Sequence, residues 1–275
     1  MNNLSEKENI NVSKQQLEFI NKLQKRERAI KITRVIVFFA FFILWEILAD
    51  TNTIDPFIFS SPSSIIKCIF KMLADGTLLR HIWVTFYETV IGFLLGTAIG
   101  TVLAIIFWSN DFINKVADPY LVVLNSLPKT ALAPIIIVWL GNNMKAIIAV
   151  ALLTSVIVTV LNVLSGFNNA DKDDIRLIRS FGGKKKDILF KVVFPSSVPD
   201  IINALKINVG LSFVGVIVGE FLTAKEGLGY LIVYSSQIFR LDAVLMSVII
   251  LAVMASAMYK AIQVFEKVIL KKIGF

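Results

Sequence analysis

Lys129 follows Pro128 inside a long apolar run, and Asn125, Ser126 and Thr130 stand close beside it. A lysine among neutral hydrogen-bonding groups at membrane depth suits an anion; it also suits snorkelling to the interface or pairing within the protein. Pro128 and Pro134 each remove a backbone donor and disfavour a straight helix here. Two readings follow. The segment borders a translocation path, or it is a proline kink satisfied by neighbouring helices. Other chemistry-bearing residues are scarce. Cys68 is the only cysteine, which excludes an intrachain disulfide and a cysteine metal cluster. His81 is the only histidine, so a histidine-based metal site is not expected. Within the apolar runs the charges singled out are Glu46, Lys206 and Glu220. Glu46 and Glu220 fall near span ends, and Lys206 lies about 10 Å into its span, within snorkelling reach. No carboxylate is expected mid-membrane, which argues against an ion-coupled secondary carrier. No carboxylate, histidine or cysteine constellation is expected in the apolar core, which argues against a membrane enzyme. No metal site is expected.

The elements that must position these groups are membrane helices. The chain has 275 residues, 56% of them hydrophobic and 17% charged, with a mean hydropathy of +0.75. Apolar runs near residues 35–50, 84–108, 117–140, 144–166, 200–222 and 242–266 reach the length that crosses a bilayer. The fold class expected is therefore an all-α polytopic membrane protein with about six transmembrane helices. The alternating segments of a β-barrel are missing. A net charge of +8 reflects Lys and Arg in cytoplasmic loops rather than nucleic-acid binding. Lys22, Lys25, Arg26, Arg28, Lys31 and Arg34 precede the first run. Lys172, Arg176, Arg179, Lys184, Lys185, Lys186 and Lys191 lie between the fourth and fifth runs, and Lys267, Lys271 and Lys272 close the chain. Six crossings put all three clusters on one side, so both termini and the polar loop are expected in the cytoplasm of a multi-pass protein of the cell membrane.

Residues 1–34 do not read as a signal peptide. They form a cytoplasmic tail preceding the transmembrane region 35–275; Leu17, Ile20 and Leu23 at helical spacing suggest an interfacial helix, with a solvated tail as the alternative. Ser61-Pro62 opens an amphipathic helix carrying Ile65, Ile66, Ile69, Phe70 and Leu73 at the outer interface, where Cys68 is one more small residue. Gly92, Gly96 and Gly100 recur every fourth residue, and Gly215 and Gly219 repeat the device; small residues so spaced let helix backbones approach closely.

The stretch DDIRLIRSFGGKKKDILFKVVFPSSVPD, residues 173–200, is a polar island. Asn168, Asn169 and Asp171 are helix-capping types, and a short helix runs from Lys172 to Phe181 with Ile175, Ile178 and Phe181 on one face. Asp174, Arg176 and Arg179 decorate the other faces. Gly182 and Gly183 end it, a second short helix follows, Pro195 stops that one, and Pro199 fits the first turn of the next span. The apolar face has three candidate partners, lipid headgroups, the protein itself or a partner's groove, and the alternative is a solvated loop that docks on nothing.

This island resembles the cytoplasmic loop of ABC importer permeases of the binding-protein-dependent type. Their signature runs roughly Glu-Ala-Ala, then Gly, then Leu-Pro; Gly182 and Pro195 match its spacing, with VVFP for the usual VVLP. Arg176 stands at the glutamate position, and Leu177 and Ile178 replace the alanines. SSPSSIIKCIFKMLADGTLLRH, LNSLPKTALAPIIIVWLG and GLGYLI are similar to the subgroup associated with nitrate, sulfonate, taurine and thiamine-precursor uptake. The resemblance covers nearly everything from Val35 onward. It implies a permease that dimerises with a second copy of itself, sits on two ATPase subunits and receives substrate from an extracytoplasmic binding protein. Residues 167–198 would hold the coupling helices. Asp174, Arg176, Ile178, Arg179, Phe181, Gly182, Gly183 and Pro195 would serve coupling, and Asn125, Ser126, Pro128, Lys129 and Thr130 would line the path. A matching acidic change on the partner is expected opposite Arg176. The chain is not itself expected to be an enzyme and carries no cofactor; GGKKK lacks the upstream glycine and the Ser or Thr of a phosphate-binding loop. ATP and Mg would belong to the ATPase subunits. The alternative is a stand-alone secondary transporter or channel.

Overall fold

A computed structural model describes residues 14–273, with side chains from Phe19 to Lys271. The described residues contain helices and turns and no strand. Contacts divide the chain into two compact units, 1–63 and 64–275.

In the first unit, α1 runs unbroken from Lys14 to Asp50, so no break separates the basic segment before Val35 from the apolar run after it. Most of its apolar stretch is exposed, with Phe38, Phe41 and Leu44 each more than half accessible, and only Ala49 near its end is buried. A helix of that composition is stable only against lipid or a partner surface. The short helix α2, Pro56–Phe59, is capped by Asp55, which accepts the Phe57 N–H at 2.9 Å. Glu46 accepts the Ser63 N–H at 2.9 Å.

The second unit is built around α4 (Thr77–Ser109), α7 (Met144–Asn168) and α11 (Val198–Thr223). Glycine makes their contact close. A Cβ on Gly92 would lie 2.8 Å from that of Ala151, and one on Gly100 would lie 2.5 Å from that of Thr159. Gly96 faces Ser155 in the same row. Since these partners advance together along both helices, α4 and α7 run parallel. Gly215 packs on the Ala151 backbone and Gly219 on Ile147, so α11 runs antiparallel to α7. The hydroxyls at the seam return to their own helices. Ser155 donates to the Ala151 carbonyl at 2.9 Å and Thr159 to that of Ser155 at 2.8 Å. Asn208 crosses the seam to Thr97 at 3.0 Å.

Between α4 and α7 the chain returns through α5 (Asp111–Ser126) and α6 (Ala133–Leu140), joined by a 3-10 turn at Lys129–Leu132 and bent by 89°. Among the described residues five helices are long and apolar enough to span, and six if the bent pair is one span. Pro128 marks the break. Pro134 sits in the first turn of α6, where its missing donor has no helical partner to lose. The remaining elements are α3 (Pro62–Ala74), the loop helices α8 (Lys172–Ser180), α9 (Lys185–Ile188) and α10 (Phe194–Ser196), then α12 (Leu228–Gln237) and α13 (Leu241–Ile273). Lys206 does not snorkel. It pairs with Glu266 of α13 at 2.8 Å, both side chains largely buried, because a charge at that depth is cheaper paired within the protein.

Candidate functional site: the polar loop, the broken helix and a buried carboxyl pair

The polar loop is an ordered structure at one end of the second unit. Asp171 caps α8 by accepting the Asp173 N–H at 2.8 Å. The helix closes on two paired bonds, Gly183 N–H to the Ile178 carbonyl at 3.0 Å and Gly182 N–H to that of Arg179 at 2.9 Å. This is the Schellman pattern, and it needs a left-handed residue, supplied by Gly182 at φ +79°. Gly183 is required for a different reason: a Cβ there would lie 2.5 Å from the Ile178 side chain. Lys184 then starts α9, and its N–H donates to Asp187 at 2.9 Å, holding that carboxyl below the ordinary range.

The α8 face expected to be uniform is divided. Ile175 and Ile178 pack inward on the cluster of Val163, Phe167, Ile188, Leu189 and Val193. Phe181 points away and is 81% exposed, with Leu177 and Phe190 also more than half exposed. Arg176 pairs with Asp173 at 2.9 Å on the exposed side, and Asp174 and Arg179 are exposed. Pro195 does not stop the second helix. The chain widens into a π turn at Leu189–Val193, and Pro195 takes the first turn of α10. The wider turn relieves the clash between the proline ring and the preceding carbonyls.

At the break between α5 and α6, Lys129 Nζ donates to the Asn125 carbonyl at 2.9 Å. Part of its charge therefore serves the open C-terminus of α5. Ser126 returns its hydroxyl to the Val122 carbonyl at 2.9 Å. Asn125, Ser126, Pro128 and Thr130 are exposed and Lys129 is half-buried. These residues form one group, remote in sequence from the loop residues.

The profile of binding-protein-dependent transport system inner membrane components matches residues 96–274. The chain belongs to that family. This permease is 27% identical over 233 residues to the formylaminopyrimidine transport permease protein ThiX of Halalkalibacterium halodurans, covering 85% of this chain and 92% of that one. It is 20% identical over 217 residues to the taurine transport system permease protein TauC of Escherichia coli, covering 77% and 79%. Among solved structures it superposes on the inward-facing MetNI methionine ABC transporter with a TM-score of 0.57 at 18% identity, over 70% of this chain and 97% of that chain. That likeness is one of fold. The permease is a multi-pass membrane protein of the ABC importer class.

Sequence reasoning passed over one feature of the permease. Glu88 of α4 and Glu220 of α11 are 2% and 1% exposed, and their carboxyls are in hydrogen-bonding contact. The apolar core therefore does contain a carboxylate constellation, contrary to expectation. Glu220 also accepts the Thr85 hydroxyl at 2.7 Å, and the Gly229 N–H reaches it from the start of α12. Thr85 in turn accepts the Leu228 N–H at 2.7 Å, and His81 Nδ1 accepts the Gly227 N–H at 3.0 Å. A Cβ on Gly227 or Gly229 would overlap the Glu220 carboxylate. Membership of the family, rather than the lack of a buried carboxyl, separates this permease from ion-coupled carriers.

Proposed function

We propose that the chain is one of two copies that form the substrate path of an ATP-driven importer, resting on two ATPase subunits and served by an extracytoplasmic binding protein. ATP and Mg belong to the ATPase subunits in this reading. The names of ThiX and TauC support a small substrate of the thiamine-precursor or sulfonate kind. For a sulfonate or nitrate, Lys129 is the cation at the broken helix. The exposed residues Asn125, Ser126, Pro128 and Thr130 line the path once a second copy closes over them.

The observation that carries the coupling role is Phe181. It sits at the end of α8, beside the left-handed Gly182, and 81% of it is exposed on a loop whose other large side chains mostly pack inward. An aromatic so presented is an anchor for a partner's groove. Asp174, Arg176 and Arg179 are the polar rim of that contact, Ile178, Gly183 and Pro195 hold its shape, and Gly182 sets the bend. The basic clusters support a cytoplasmic side for this loop and both termini.

Phe181→Asp tests the reading. Its side chain touches little of this chain, so the thermal midpoint of the isolated permease should stay unchanged. Co-purification of the ATPase subunits and ATP-dependent uptake should both fall at least tenfold, since hot-spot aromatics commonly contribute about 2 kcal/mol or more. Full assembly and uptake in the variant would overturn the docking role. Uptake by the wild-type chain alone in proteoliposomes, driven by an ion gradient, would overturn the ATP-driven reading altogether.

A further inference from the structure

Glu88 does more than face Glu220. It also lines a cavity of about 280 Å³ between α4, the start of α7 and the end of α11, at the end of the second unit opposite the polar loop. Two buried polar atoms belong to residues lining that cavity and have no hydrogen-bond partner among the described residues: Glu88 Oε2 and Thr223 Oγ1. A buried oxygen without a partner is costly, so such atoms call for an occupant.

The charge of that occupant follows from the surroundings. Two carboxyls in hydrogen-bonding contact need at least one proton between them, because neither otherwise has a donor to offer. The pair therefore presents at most one negative charge and no positive one. Glu220 is satisfied by Thr85 and the start of α12, and the glycines at 227 and 229 leave room for it. The unsatisfied oxygen is the one on Glu88. Thr223 is the last residue of α11, whose C-terminal dipole also favours positive charge. The start of α7 does not oppose this strongly, since Asn143 Oδ1 already accepts the N–H groups of Lys145 and Ala146. Glu226 lines the cavity but is paired with Arg80. Lys225, exposed at the rim, forms no ion pair with Glu88 among the described residues. No cluster of three or more His, Cys, Asp or Glu able to hold a metal exists among the described residues, which leaves too few ligands for a divalent cage.

We propose that Glu88 and Thr223 form a binding site for a small monovalent cation, held between α4, α7 and α11. The cation ties the body of α4 to the start of α7 and the end of α11, the three helices that form the packed centre of the second unit.

The test is the thermal midpoint of the purified transporter in detergent at equal ionic strength in sodium, potassium, methylammonium or choline chloride. The midpoint should rise saturably in at least one of the three small cations relative to choline, as expected for a ligand that binds only the folded state. A rise confined to methylammonium identifies a primary ammonium group as the ligand; a rise in sodium or potassium identifies a metal cation. Glu88→Gln keeps the shape of the side chain and should abolish the difference, and Thr223→Val should weaken it. Lys225→Ala should leave it intact. Equal midpoints in all four salts would overturn the proposal, with water alone filling the cavity. So would a cation effect that survives in Glu88→Gln or disappears in Lys225→Ala.

Discussion

Gly215 and Gly210 lie little more than one turn apart on α11 and meet opposite surroundings. A Cβ at Gly215 would come within 2.5 Å of the Ala151 Cα and 3.0 Å of its nitrogen, whereas at Gly210 nothing lies within 4 Å. Backbone cannot step aside as a flexible side chain can. Gly215→Ala should therefore destabilise the permease by about 1–3 kcal/mol. Gly210→Ala should instead stabilise it by about 0.5–1 kcal/mol, since alanine is the better helix former. Paired thermal unfolding of the two variants in detergent checks this, and a lower midpoint for Gly210→Ala than for Gly215→Ala would contradict it. The glycine rows were legible because their interval of four is a property of one helix. Glu88 stands one step before Gly92 in that same row, so its burial was legible too, from register alone. Its partner was not. Glu220 reaches it only through the packing of α4, α7 and α11, and no local pattern encodes that meeting.

α8 shows what periodicity delivers for an element and where it stops. The apolar spacing places a helix over 172–181, and the structure has Lys172–Ser180. Ile175 and Ile178 go to the core as an amphipathic face requires. Phe181 shares their spacing but not their direction, because the left-handed Gly182 turns the chain where the helical repeat ends. Pro195 misled for a related reason: a proline stops a regular helix, but a π turn absorbs it. The bend of 89° between α5 and α6 was legible as a break at Pro128, though not as an angle. Arg176 belongs to this scale. Its pair with Asp173 is exposed on both sides, so Arg176→Glu should change the helix little, as exposed pairs contribute about 0–1 kcal/mol. If an acidic group of the ATPase faces this position, the charge reversal should weaken assembly, most at low salt, where screening is least. Pull-down of the ATPase subunits across a salt series measures it. Assembly unchanged at every salt concentration removes the idea of a complementary acidic partner.

For the whole molecule the question is which end of the bundle faces the cytoplasm, and it turns on charge rather than packing. α4 and α7 run parallel with the bent α5–α6 pair between them, so the loop after α7 lies at the opposite end from the turn before α4. The loop carries Lys172, Arg176, Arg179, Lys184, Lys185, Lys186 and Lys191. Under the proposed topology the excess of Lys and Arg puts it in the cytoplasm and the turn at Asp75 outside. Single cysteines test this directly, and the wild-type thiol need not be removed first. Cys68 is 3% exposed, and its burial, with Asp242 close by, pushes its pKa up to about 11. Only the thiolate reacts with a maleimide, and at neutral pH about one Cys68 in ten thousand would be ionised. Ser180→Cys and Asp75→Cys are both at exposed positions. In intact cells a membrane-impermeant maleimide should label the cysteine at 75 and spare the one at 180, which should react only after permeabilisation. Unmutated protein should stay unlabelled in both conditions. Labelling at 180 in intact cells would invert the orientation and remove the loop from reach of any ATPase. Labelling at both positions without permeabilisation would show that the α4–α7 segment does not cross the bilayer in the order its helices imply.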